Sequence, residues 1–130
     1  MIKKILSKGK TFAILLDVKD IAEGAHSITH SKGALQMLMM KRKAGHVVKK
    51  HMHKRISKST TQPQEGIVVV KGAVRAIIYD RKGKKVGACS VTAGQCLLIL
   101  DGAHKVEMTK SSLIYEFKTG PYVEDKIYLS

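Results

Sequence analysis

Residues 65–80 read EGIVVVKGAVRAIIYD: two short runs rich in Val, Ile and Ala, divided by Lys71-Gly72 and closed by an acidic residue. Runs this short, dominated by β-branched residues and bounded by turn formers, predict strands rather than helices. The second run alternates, with Val74, Ala76 and Ile78 set apart by Arg75 and Ile77, the period-two pattern of a sheet covered on one face. Immediately downstream, Asp80-Arg81-Lys82-Gly83-Lys84 supplies the turn chemistry of a hairpin.

The same rhythm continues outward. KVGACSVT (85–92), CLLILD (96–101), KVEMT (105–109) and LIYEFKTG (113–120) predict strands on the C-terminal side, and ALQMLMMKR (34–42) predicts one on the N-terminal side. SKSTTQPQ (57–64) is polar and contains a proline, so it predicts a loop. FAILLDV (12–18) fits a strand, whereas DIAEGAHSITHSKG (20–33) reads as an irregular or edge segment in which a helix is also allowed. The pattern is that of an all-β sandwich or barrel in one domain. Length agrees, since 130 residues suffice for a single core.

Twenty-four Lys and Arg stand against ten Asp and Glu, and the formal charge of +14 favours an anionic partner. A membrane partner is not expected, and nucleic acid is a disfavoured one, because only six aromatic residues occur and none is interleaved with basic residues as in single-strand stacking platforms. No apolar run reaches the length of a transmembrane helix. Asp17 and Asp20 closely follow the apolar start, with no small-residue cleavage site, so the reading is a cytoplasmic chain without a secretory signal. Cys89 and Cys96 show no CxxC spacing and read as small core residues.

In GHVVKKHMH (45–53), His51 and His53 would share one face of a strand, with Lys50, Met52 and Lys54 on the other. Two imidazoles side by side can begin a metal site, although a third and fourth ligand must come from elsewhere. The flanking Lys41, Arg42, Lys43, Lys49, Lys50, Lys54 and Arg55 equally suit a plain basic surface.

Gly45, five residues, His51-Met52-His53, and then Glu65, six residues, Gly72 resemble the first motif of the cupin superfamily; GQCLLILDGAHKV (94–106) resembles the second. The resemblance implies a single-domain double-stranded β-helix, or jelly-roll, barrel. It further implies that His51, His53, His104 and Glu65 hold one divalent metal ion, Fe, Mn, Ni or Zn. The ending IYEFKTGPYVEDKIYL (114–129) is similar to small cupins of the WbuC type, associated with polysaccharide and sugar-nucleotide gene clusters. The likeness spans residues 34 to 129, so residues 34–130 are expected to form the barrel and residues 1–33 an edge strand or arm packed on it. Departures are clear: eleven residues separate His53 from Glu65, Leu100 replaces a usual proline, and Ala103 alone lies between Gly102 and His104.

The expectation for function is a metal-binding cupin that acts on or binds an anionic small molecule such as a sugar or nucleotide-sugar, by isomerase-, epimerase- or Fe-dependent oxygenase-like chemistry. Its alternative is a non-catalytic binding or sensor module. Arg75 and Tyr122 are the candidate substrate contacts. By analogy with cupins, which commonly pair through edge strands, a homodimer is expected.

Overall fold

The computed structural model describes residues 2–130. These residues form β1 (Ile2–Ser7), β2 (Lys10–Asp17), β3 (Gly24–Ser27), β4 (Leu38–Lys41), β5 (Glu65–Lys71), β6 (Ala73–Tyr79), β7 (Lys85–Thr92), β8 (Gln95–Ile99), β9 (Ala103–Met108) and β10 (Leu113–Lys118). One turn of 3-10 helix, Val18–Asp20, is the only helical element among the described residues. The protein is all-β and every strand pairing is antiparallel.

A five-stranded sheet runs β1-β2-β8-β5-β10, a three-stranded sheet runs β7-β6-β9, and β3 and β4 form a separate hairpin. From β5 to β10 the chain passes from the larger sheet to the smaller and back, so the two sheets are interwoven in sequence. Between them lies the main core, built from Phe12, Ala13 and Leu15 of β2, Ile67 and Val69 of β5, Val74, Ala76 and Ile78 of β6, Cys89 and Val91 of β7, and Leu97 and Ile99 of β8. A second core covers the other face of the large sheet, where Met39 of β4 packs with Ile14, Leu16, Cys96 and Leu98.

This arrangement explains why alternation is visible in some strands and hidden in others. In β6 it is plain: Val74, Ala76 and Ile78 are buried while Arg75 is exposed. In β2 and β8 both faces are covered, so FAILL and CLLI are buried throughout. The β6–β7 turn has the expected chemistry, with Asp80 Oδ1 accepting from the Lys82 and Lys84 amides, each at 2.9 Å, and Gly83 at φ +87°.

The two sheets meet closely along β1 and β7, where a Cβ on Gly87 would stand 2.8 Å from Ile5 Cγ2. At the other side β9 and β10 are sheet edges without a further strand, so the sandwich is not closed into a barrel among the described residues. The strand expected across His51-Met52-His53 is absent. Residues 46–64 carry no strand, helix or turn, and residues 42–61 are exposed throughout. The many like charges along that stretch repel one another, and no neighbouring strand pairs with it. One further difference lies upstream, where residues 34–42 yield only the four-residue β4; the stretch read as irregular or edge holds the short strand β3, one edge of the hairpin. Residues 1–33 contribute the edge strand β1 but also the doubly covered β2.

Candidate functional site

Glu65 opens β5 and His104 is the second residue of β9, so the two belong to different sheets. Register fixes their direction. Glu65 lies opposite Ile99 on β8, and His104 lies opposite Ile78 on β6. Both partners point into the main core, and directly opposed antiparallel residues share a face, so the carboxylate and the imidazole both project into the space between the sheets.

They meet there. Glu65 Oε1 is 2.6 Å from His104 Nε2, with side-chain exposures of 16% and 34%. That oxygen is buried, and no other donor reaches it. The imidazole holds the Glu65 carboxyl below its ordinary value against the opposing effect of burial, and the positive charges of Lys118 and Lys126 add to the lowering.

Lys118 stands directly opposite Glu65 in the β5–β10 ladder. With Thr119, Tyr122, Glu124, Asp125 and Lys126 it lines a cavity of about 60 Å³ formed by the C-terminal segment, where two acidic residues accompany the two lysines. Tyr122 thus shares a cavity with Lys118, and its hydroxyl donates to Glu124 Oε2 at 3.0 Å. Arg75 is elsewhere, on the outer face of β6 opposite Glu107.

The two histidines of the HMH pair are near each other, with ring centroids 5.1 Å apart at 71°. Both are exposed, and His51 Nδ1 is 2.6 Å from the Lys49 carbonyl oxygen. Among the described residues no three His, Cys, Asp or Glu side chains gather as a metal-binding group. The structure thus brings Glu65 to His104 and His51 to His53, as two separate pairs. His26 and His30 serve local contacts, with Ala22 O and the Lys32 amide.

Sequence reading missed Lys118 and the buried Asp101. Period-two phase could have found the first, since Ile114 packs on the main core and Lys118 is an even number of residues away on the same strand. Asp101 is 6% exposed and gathers Lys10, Arg81, the Gly102 amide and Gln62 Nε2. Gln62 and Gln64 also donate to the Leu100 carbonyl, pinning the end of the irregular segment beside β5. No family model, curated protein or solved structure matches the chain.

Proposed function

We propose that the protein is a cupin-like jelly-roll metalloprotein that binds or transforms an anionic small molecule, with Glu65 and His104 as the nucleus of its metal site. The observation that carries this reading is the convergence of Glu65 Oε1, a buried oxygen, and His104 Nε2 from opposite sheets. A carboxylate oxygen and an imidazole nitrogen brought together are ligand types that suit a borderline divalent ion, Fe, Mn, Ni or Zn. The alternation of β5 to β10 between two sheets also agrees with a double-sheet jelly roll.

His51 and His53 are the further donors in this reading, carried by the segment that precedes β5. A divalent ion bound there would supply Lewis-acid polarisation for isomerisation or epimerisation, or redox chemistry with oxygen in the case of Fe(II). Lys118 and Lys126 would hold the negative group of a sugar phosphate or nucleotide-sugar, and Tyr122 would offer a hydroxyl at the same cavity. The +14 charge would draw such a ligand toward the site, less strongly as salt is raised.

Elemental analysis of protein purified without an affinity tag, after reconstitution with each of the four metals, tests the reading. The expected result is about one equivalent of metal per chain, lost in His104→Ala and Glu65→Gln and reduced in His51→Ala/His53→Ala. Absence of metal from the reconstituted protein would reject the metalloprotein and leave a cupin-like binding module. Metal that survives His104→Ala but not the double variant would place the site on the exposed histidines instead.

A further inference from the structure

We infer that the open edge of β4 accepts an extended peptide as a third strand of the β3–β4 sheet, the peptide being apolar along its length and acidic at the end beside Lys41 and Arg42. The inference uses no residue of the candidate metal site. A groove of about 570 Å³ is lined by Val18, Ile21 and the six consecutive residues 37–42. A groove over one face of a strand would be lined by alternate residues, whereas consecutive ones, drawn from both faces, line a groove that runs along the edge. β3 occupies the other edge of β4, so this edge is the open one.

Its backbone groups are available. The Ile28 amide donates to the Met37 carbonyl at 3.0 Å, which makes Met37 a hydrogen-bonded position and, by alternation through the β3–β4 register, Met39 and Lys41 as well. Leu38 and Met40 therefore turn their N–H and C=O groups toward the groove, where no strand among the described residues meets them. The walls are apolar, with Val18, Leu38 and Met40 at 55%, 54% and 47% exposure, and methionine side chains adapt to varied apolar partners. An acyl chain laid here would cut four polar backbone groups off from water. A peptide backbone satisfies the same four by strand addition.

Charge sets the end chemistry. No acidic residue lines the groove, and Lys41 and Arg42 stand where β4 ends. The acids nearby are engaged elsewhere: Glu23 pairs with Lys43 at 3.8 Å, and Asp17 accepts from Gln95 and the Lys19 amide. Antiparallel pairing, which every strand pair of this fold uses, sets the N-terminal end of the peptide against the C-terminal end of β4. Acidic residues thus belong at the N-terminus of the peptide.

NMR titration of the full chain, isotope-labelled at its amides and methionine methyls, with acetyl-Glu-Glu-Val-Thr-Val-Thr-Val-amide tests the proposal. The expected result is a shift of the Met37, Met39 and Met40 methyls with Met108 unmoved, and slowed hydrogen exchange at the Leu38 and Met40 amides. A peptide with two lysines in place of the glutamates is expected to bind at least about tenfold more weakly. Lys41→Glu/Arg42→Glu is expected to reverse that preference, which separates lost recognition from lost folding. Met40→Pro, at an edge position with a free N–H, is expected to keep the hairpin and lose the peptide, whereas Met40→Thr keeps both. Methyl shifts without slowed exchange would indicate a groove for acyl chains and overturn the proposal. So would Leu38 and Met40 amides already protected in the free protein, the mark of a second copy seated there, equal binding of the two peptides, or no binding of either.

Discussion

Gly102 connects β8 to β9 at φ +73°, and a Cβ there would collide with the Tyr79 carbonyl oxygen and press on the Phe12 ring at 3.0 Å. Gly102→Ala combines left-handed strain with a backbone clash and is expected to cost at least about 3 kcal/mol. Chemical denaturation measures that loss, and the shift should also displace His104 two residues on. Asp101, its neighbour, has the opposite character: a side chain that fits. Burial pushes its carboxyl up, but contact with Lys10, the Gly102 amide and the charge of Arg81 outweigh burial and hold it below the ordinary value of 3.8. A carboxylate depressed on folding stabilises in full above its unfolded value. That contribution is lost as pH falls below 3.8 and through the folded value. Asp101→Asn should lower stability at pH 7 by about 1–3 kcal/mol, and the difference from native protein should shrink in acid. Denaturant titrations from pH 7 to pH 3 give both numbers. A constant difference across that range would reject the role assigned to the carboxylate.

The β3–β4 hairpin is the element whose place is least secured by its own backbone. Two strands alone are marginal in water. Docking therefore depends on Met39, 8% exposed, inserted among Ile14, Leu16, Cys96 and Leu98. Met39→Ala is expected to cost about 2–5 kcal/mol. Hydrogen exchange should speed up first in residues 24–27 and 38–41, while β6 and β8 remain protected. The hairpin also shows why ALQMLMMKR was only partly legible. Its nine residues contain enough Leu and Met for a longer strand, but β3 offers four partners, Gly24 to Ser27, and pairing stops where the partner stops. The opposite holds for β6 and β7, whose expected spans of 73–80 and 85–92 agree closely with Ala73–Tyr79 and Lys85–Thr92 because every residue but Val86, skipped at a bulge, finds its partner across a tight turn.

Across the whole molecule, +14 charges share a surface of 10021 Å². Self-repulsion of this kind works against the compact state and is screened by salt, with a Debye length of about 10 Å at 0.1 M. Raising sodium chloride from about 0.02 to 0.5 M at pH 7 is expected to raise the melting temperature by about 4 °C. Sulfate should exceed that increment if Lys118 and Lys126 hold anions together, and thermal unfolding in the two salts at matched ionic strength is the check. Equal effects would leave only general screening.

The all-β class was legible from residues 65–80 outward, because short β-branched runs broken by Gly, Asp and Lys have few other ways to bury their side chains. Turn chemistry was legible too, at Asp80 to Lys84, since it depends on neighbours in sequence. Only the tertiary structure decided how the strands divide between two sheets, that β2 and β8 are covered on both faces, and that the stretch around His51 and His53 is not a strand. It also decided that Glu65 meets His104, 39 residues further on, and that Lys118 stands beside them. Local pattern fixes which way a side chain alternates along its own strand. Which strand lies opposite is settled by packing between residues far apart in the chain, and that packing is what makes two facing residues into a site.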